Sequence, residues 1–584
     1  MSTPALSQEG LHGNTISESG LEFGVRAVRS WSSFFSLVRL LDVAAIGGAI
    51  MFYAVFIYRS RFTVDGAVFF SLFDDAMISM RYARNLAEGN GLVWNPGQPA
   101  VEGYSNPLWT IWMAVLHLLP VPESKMALLV MISGAAILII NLLVVRAITR
   151  QILPESPLAG SIAMLLTGLY YPLIFWTLRG MEVGLLTLIV SLAVFLALRL
   201  RADFRRQDLL ALGAVVAAGI LTRSEAILPC LVVSGFVLLT VQTQHRRRVF
   251  VFTSAILGGV VVLQTGFRLL YYGHPFPNTY YLKLQGIDLS DRVDRGRDVL
   301  ESTLRGHLAV PVLIAAVYLI ISLIRKRAHP AVYLLTAIII VQCAYSVYVG
   351  GDAWEGSVQA NRYIVPGIPS LFILCALALV GLPTLLSPLS RMRTLGGFAT
   401  RWQLGALMPR RRWIHGYAIV AIIVSGLMVV TVNRPSFDEW KEHNALHVRD
   451  DAAVTRYGLA LRASTSEDAV IAVVWAGAIP YFSQRTSIDL LGKSDYVVAT
   501  SPPRPGSFYP GHNKWDYAHS IELLKPDVVA QLWGATKQDR QNLEAWGYEQ
   551  VEHSIYVRSG STQVTRRAVE DSLRQVPWIP LAKR

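Results

Sequence analysis

Val68-Phe69-Phe70-Ser71-Leu72-Phe73-Asp74-Asp75 follows closely on the apolar run Val38 to Tyr58, the first segment long enough to cross a bilayer. A transmembrane helix needs about 20 mostly apolar residues, so the acidic pair Asp74-Asp75 arrives at a membrane surface. An amphipathic stretch follows, Ala76 to Glu88, then Gly89-Asn90-Gly91-Leu92-Val93-Trp94-Asn95-Pro96-Gly97, then Val101-Glu102-Gly103-Tyr104-Ser105-Asn106-Pro107. Two adjacent carboxylates in such a place are candidate catalytic groups. The blander reading makes either one the N-cap of the helix through Ile78, Tyr82 and Leu86, because Asp accepts a backbone N–H there; that does not account for both. Asn90-Gly91 and Asn95-Pro96-Gly97 carry turn chemistry.

Composition agrees with a membrane-embedded chain. Of 584 residues, 53% are hydrophobic and only 16% charged, which excludes a soluble globule for most of the length. Eleven segments read as spans: Val38 to Tyr58, Met126 to Arg146, Leu158 to Trp176, Val183 to Leu200, Asp208 to Leu221, Ala226 to Gln242, Phe250 to Leu270, His307 to Ile324, Pro330 to Val349, Ile364 to Leu386 and Ile414 to Val432. The first is too long for a signal-peptide core and is expected to be retained. Residues 1–30 are polar and read as disordered. Cys230, Cys343 and Cys375 all lie in apolar runs and suggest no disulfide framework.

Sidedness follows from the basic residues. Arg26, Arg29 and Arg39, then Arg146 and Arg150, Arg199 to Arg206, Arg246 to Arg248, Arg325 to Arg327 and the segment Arg391 to Arg412 all fall on one face if the N-terminus is cytoplasmic. This explains the net charge of +13 without a nucleic-acid partner. The agreement requires that Leu108 to Leu119, too short to span, be a re-entrant or interfacial helix. The expected plan is a cytoplasmic tail, 1–37; a polytopic α-helical domain, 38–432, with a first outer loop at 59–125; and a periplasmic C-terminal domain, 433–584. Ala469 to Val474, Ser487 to Gly492 and Asp527 to Ala530 read as strands, alternating with helices near Asp450 to Arg462 and Thr536 to Trp546, hence an α/β layer fold. The loop from Ser501 to Asp516 is either a glycan contact or an ordinary surface loop.

On the same outer face fall Arg179-Gly180-Met181-Glu182, Thr222-Arg223-Ser224-Glu225, the run Tyr271 to Lys283 with His274-Pro275-Phe276-Pro277-Asn278, Gly350-Gly351-Asp352-Ala353-Trp354-Glu355, and Asn361-Arg362-Tyr363. Charges at span ends are expensive unless they face a cavity or a partner. Each word also has a structural reading: Arg179 with Glu182 or Arg223 with Glu225 as ion pairs, His274 in a rigid turn, Trp354 in the interfacial belt. Their shared sidedness favours a polar outer cavity. A Gly-rich phosphate loop, HExxH and paired CxxC are all missing from the sequence, so nucleotide or zinc chemistry is not indicated.

The block Phe73 to Ala83, the continuation Glu102-Gly103-Tyr104-Ser105-Asn106-Pro107-Leu108-Trp109, and the words Arg179-Gly180-Met181-Glu182 and Gly350-Gly351-Asp352 resemble the GT-C glycosyltransferases. These are polytopic enzymes that take sugars from polyprenyl-phosphate donors. Over nearly the whole chain the pattern looks most like the terminal β-(1→2)-arabinofuranosyltransferases of mycobacterial and corynebacterial cell walls. That resemblance implies decaprenyl-phospho-arabinofuranose as donor and the non-reducing ends of arabinan as acceptor, in arabinogalactan and lipoarabinomannan.

Transfer from a lipid phosphate needs a base for the acceptor hydroxyl and positive groups for the departing phosphate. Asp74 is expected to be the base and Asp75 its partner. Arg223, His274, Lys283 and Arg362 are candidates for the donor phosphate. Candidates for the sugars are Glu102, Tyr104, Asn106, Arg179, Glu182, Glu225, Asn278, Asp352 and Trp354. No cofactor is expected; a divalent cation across Asp74 and Asp75 is not indicated, since two adjacent carboxylates without spaced partners define no hard-cation site. Competing readings are a transferase using another donor such as polyprenyl-phospho-mannose, a polyprenyl-lipid flippase, and a non-catalytic cell-wall scaffold.

Overall fold

The computed structural model describes residues 18–355, 361–386, 408–442, 445, 447–552 and 555–573. The chain begins with α1 (Glu18–Arg59), a single helix that starts well before the first apolar run. Residues 18–30, expected to be disordered, are therefore helical; the rest of that tail lies outside the described residues. A two-stranded hairpin, β1 (Phe62–Val64) and β2 (Ala67–Phe69), follows. Its tip, Asp65-Gly66, has φ of 48° and 80°, the doubly left-handed turn that matches the natural strand twist. Then come α2 (Asp74–Ala87), which carries the acidic pair, and α3 (Pro107–His117). At 11 residues α3 is too short to span, as expected, and it exposes Ile111, Trp112 and Val115.

The helical body continues through α4 (Glu123–Ile152), α5 (Pro157–Gly168), α6 (Tyr171–Leu178), α7 (Val183–Ala202), α8 (Arg206–Thr222), α9 (Ile227–Thr240) and α10 (Thr243–Tyr272). After α11 (Asn278–Leu284) and α12 (Leu289–Gly306) come α13 (Ala309–Ile324), α14 (Pro330–Tyr348), α15 (Ile368–Leu386) and α16 (Met408–Glu442). A helix stands at each expected span, but among the described residues six are individually long and apolar enough to cross a membrane, or up to eight if each bent pair is one span. The expected eleven is not reached on these criteria. One physical reason is the 55° break between α5 and α6, where Pro172 removes a helical N–H and crowds the preceding turn. Amphipathic α12, which has no long apolar run, meets α13 at 87° and escaped the sequence pattern. Helix α7 is the most enclosed, 78% of its apolar window being buried against 11% for α10, so α7 is central and α10 faces outward.

Helix α16 runs unbroken past Val432 to Glu442. Beyond it, α17 (Val448–Ser464) leads into a five-stranded sheet in the order β4-β3-β5-β7-β6. Strands β3 (Val470–Val473), β4 (Thr486–Asp489) and β5 (Val528–Val529) are parallel, and the β6–β7 hairpin (Tyr548–Glu552, Ile555–Arg558) is antiparallel. The α/β expectation holds. The β6–β7 hairpin went unread because Tyr548-Glu549-Gln550-Val551-Glu552 is too polar to show a buried run. A short helix, α18 (Ala478–Ser483), packs directly on α2, so the loops after β3 and β4 face the membrane domain.

Candidate functional site

Backbone geometry fixes the start of α2. Phe73 is its N-cap residue, and its N–H donates to the Arg179 carbonyl at 3.0 Å. Gly180, at φ 90°, lies so close to Leu72 that a Cβ there would sit 2.5 Å from the leucine side chain. Neither aspartate therefore caps α2; both occupy its first turn, where negative charge suits the helix dipole.

The two carboxylates face different partners. Asp74 turns toward the C-terminal domain and accepts the backbone N–H of Ala478 at 2.8 Å and of Gly477 at 3.3 Å, at the start of α18. The capping chemistry is real, but it serves another helix more than 400 residues away in sequence. Burial pushes the Asp74 carboxyl up to about 6, against the lowering influence of Lys493 and those two N–H groups. Asp75 accepts from Lys493 Nζ at 2.8 Å and from an Arg362 guanidinium nitrogen at 3.1 Å. Burial opposes its ionisation, but Lys493 and Arg362, with Lys283 farther off, hold it far below the usual carboxylate range. Its side chain keeps 17% exposure.

From Asp75 the ionic network spreads sideways. Arg362 Nε pairs with Asp352 at 3.0 Å, and both are buried. The Lys283 ammonium donates to the Tyr363 hydroxyl at 3.4 Å, and the Tyr363 ring lies under both Arg223 (5.7 Å) and Arg362 (5.8 Å). Arg223 pairs with Glu182 at 2.5 Å and also with Glu225. Glu182, Glu225, Arg223, Arg362 and Tyr363 line a small pocket at the ends of α7, α9 and α14. Asn106 donates to Glu182 at 2.7 Å while its oxygen accepts from Ser79 on α2, which ties the pocket wall to the helix of the acidic pair. Trp354 meets Phe73 edge-on at 5.0 Å and lies 6.4 Å from the His512 ring.

Other sequence candidates sit outside this network. Glu102 forms a buried two-pronged pair with Arg268 of α10, at 2.7 and 3.1 Å. Tyr104 shares a hydrogen bond with Tyr272 at 2.9 Å. These two staple the first loop to α10. His274 stacks on Tyr496 at 3.8 Å, with no ion-pair or hydrogen-bond contact among the described residues to the cations around Asp75. Arg179 is fully buried and pairs with Asp451 of α17, so its partner is the C-terminal domain rather than Glu182. Asn278 donates from its side chain to the carbonyls of Gly492, Lys493 and Asp495, at 2.7, 3.2 and 3.0 Å.

Sequence reading missed Lys493 altogether. It follows β4, whose last residue, Asp489, folds the loop by accepting the N–H of Leu491 at 3.0 Å and of Ser494 at 2.6 Å. In parallel sheets functional groups gather beyond the carboxyl ends of strands. That rule, applied to Ile488-Asp489-Leu490-Leu491-Gly492-Lys493, was the available signal. His512 is a second neighbour; burial and the nearby Lys493 push it down to about 3, leaving it neutral. Among the described residues no group of three or more His, Cys, Asp or Glu side chains converges as a metal-ligand set.

Comparison with known proteins touches both parts of the chain. Residues 443–569 match the model of a domain of unknown function (DUF8728), a match that starts just after α16. No curated protein matches the sequence. Among solved structures, ArnT from Cupriavidus metallidurans bound to undecaprenyl phosphate is 14% identical, with 91% of this chain and 99% of that one covered and a TM-score of 0.48. The apo form of ArnT gives 15% identity, coverage of 91% and 98%, and a TM-score of 0.44. The oligosaccharyltransferase of Archaeoglobus fulgidus is 11% identical, with 76% of this chain and 64% of that one covered and a TM-score of 0.47.

Proposed function

We propose that this protein is a membrane glycosyltransferase of the GT-C type that takes a sugar from a polyprenyl-phosphate donor on the outer side of the membrane. The observation that carries the reading is Asp75, a partly exposed carboxylate held ionised by Lys493 and Arg362 at the ends of the membrane helices. Such a site offers both requirements of the reaction. The acceptor oxygen attacks the anomeric carbon as the bond from that carbon to the phosphate oxygen breaks. The bonding electron pair leaves with the phosphate, and the acceptor proton passes to the carboxylate. Cations stabilise the charge that develops on the leaving group.

Of the two aspartates, Asp75 is the better base. Both Asp74 oxygens accept fixed backbone N–H groups at the domain interface, whereas the two Asp75 oxygens accept from side chains, of which the Lys493 ammonium can move. The sequence resemblance supports the finer assignment: arabinofuranose as the sugar, decaprenyl phosphate as its carrier and arabinan ends as acceptor. Gathering of the charged loops at one end suits transfer at a surface better than carriage of a lipid across the bilayer. The test is incubation of the purified chain with defined polyprenyl-phospho-sugars and a short arabinan, followed by mass and linkage analysis. Extension by one pentose from the arabinose donor supports the assignment. Extension only from a mannose donor would move the enzyme to another substrate class.

A further inference from the structure

We infer that the C-terminal domain is part of the reaction centre: Lys493 is a ligand for the donor's phosphate, and its passage from Asp75 to that phosphate uncovers the base. This rests on the lipid-phosphate reading above. It gives a role to the segment that matches only a domain of unknown function.

The cations near Asp75 differ in how firmly they are held. Arg223 is shared by two carboxylates, Glu182 and Glu225, and Arg362 by two others, Asp75 and Asp352. Guanidiniums locked in this way define walls. Lys493 has one carboxylate within ion-pair distance among the described residues, Asp75, with Asp74 and Asp489 acting on it from farther off, and an ammonium carries three donors. Its side chain is 13% exposed and that of Asp75 17%.

The backbone around Lys493 is pinned, which leaves the side chain as the movable part. Asp489 holds Leu491 and Ser494 from inside the domain, and Asn278 of the membrane body holds the carbonyls of Gly492, Lys493 and Asp495. Gly492 sits at φ 76°, where a Cβ would lie 2.8 Å from the Ala499 nitrogen, so the turn before the lysine is fixed as well. The domain as a whole is clamped to α2. Buried Arg81 donates to Trp94 O, Asn95 Oδ1, Pro480 O and Arg485 O, and Arg84 bonds Tyr481 O at 2.8 Å.

Chemistry supplies the reason for the exchange. A carboxylate with two cations on it is a poor proton acceptor. A bound phosphodiester brings one negative charge and competes for the ammonium. In the transfer step Asp75 goes from charged to neutral as it takes the acceptor proton, and the phosphate gains the charge that Asp75 loses. A lysine able to reach both follows that charge.

The test uses the full-length purified chain with Lys493→Met and Lys493→Arg, and polyprenyl monophosphate as the binding probe. Wild type should bind the probe, Lys493→Met should bind at least tenfold more weakly at an unchanged melting temperature, and Lys493→Arg should recover most of the affinity. The acid limb of the kcat/KM profile should move to higher pH in Lys493→Met, because Asp75 then keeps one cation instead of two; that shift reports the ion pair, and the loss of probe affinity reports the phosphate contact. Wild-type probe affinity in Lys493→Met, whatever the limb does, overturns the inference and leaves the transferase reading standing. If Lys493→Met misfolds, Lys493→Arg decides: a folded Lys493→Arg with no probe affinity or no activity contradicts a role that any long cation can fill. Wild type that neither binds the probe nor transfers sugar overturns both readings together.

Discussion

Replacing each aspartate of the pair by asparagine should give two different failures. Asp74 holds two backbone N–H groups with two carboxylate oxygens. An asparagine offers one oxygen and sets an NH2 group against the other N–H, so one hydrogen bond to a charged acceptor, about 1.5–3 kcal/mol, is lost. The expected phenotype of Asp74→Asn is a lower melting temperature and a looser C-terminal domain, with turnover within about tenfold of wild type, short of the loss typical of a missing base. Asp75→Asn removes the proton acceptor and should cost about 10² to 10⁴ in kcat. Because Lys493 and Arg362 are then freed for phosphate, donor affinity should be equal to or tighter than that of wild type. Melting curves, single-turnover transfer and donor titrations on both variants separate these outcomes. Abolished transfer in a normally melting Asp74→Asn, with Asp75→Asn nearly active, would refute the assignment of roles.

Gly477→Ala should uncouple the two domains, since a Cβ there would sit 2.0 Å from the Asp74 carbonyl oxygen; limited proteolysis between α16 and α17 should accelerate, and an unchanged digestion rate counts against the contact. Lys283→Ala removes an ammonium whose one hydrogen-bond partner among the described residues is the Tyr363 hydroxyl, so it should weaken donor binding severalfold without lowering the melting temperature; wild-type affinity would remove Lys283 from the phosphate site. Asp74 and Asp489 are both pushed up to about 6 by burial, so the stability they contribute is complete below about 4 and declines as pH rises through 6. Asp75, held far below its ordinary value, works in the opposite direction: its contribution is complete above about 4 and is lost only in stronger acid. Asp489→Asn should therefore flatten the decline in melting temperature between pH 4.5 and 7, and an identical curve would speak against the burial effect. Reporters fused after Arg327 should read cytoplasmic and those fused after Arg434 external; two readings on the same side would place the acidic pair on the wrong face.

What the sequence made legible was the part written in local pattern. Apolar runs marked the helices, and the basic clusters excluded α3 as a span. Val470 to Val473 and Val528-Val529 announced a buried sheet. Asp352, Arg362, Arg223 and Glu182 were selected as charges at span ends, and the structure brings them into one network with Asp75. What stayed hidden depends on contacts between distant segments. The service of Asp74 to Gly477 and Ala478, the pairing of Arg179 with Asp451 and the arrival of Lys493 at Asp75 each join residues hundreds apart, and no spacing rule reports them. Glu102 and Tyr104 were drawn toward sugar binding by their place in a distinctive loop, whereas their partners are Arg268 and Tyr272. Composition cannot distinguish a staple from a ligand when both are polar and near a membrane surface.

The central claim is that the ionised carboxylate among the cations at Asp75 drives sugar transfer from a lipid phosphate. The most direct measurement is a single-turnover reaction of purified wild type and Asp75→Asn with polyprenyl-phospho-arabinofuranose and a short arabinan, with product followed by mass. The account predicts one added pentose with wild type and a rate lower by about 10² to 10⁴ with the variant at undiminished donor binding. Equal rates from the two proteins, or no pentose transfer by a folded, donor-binding wild type, would contradict it.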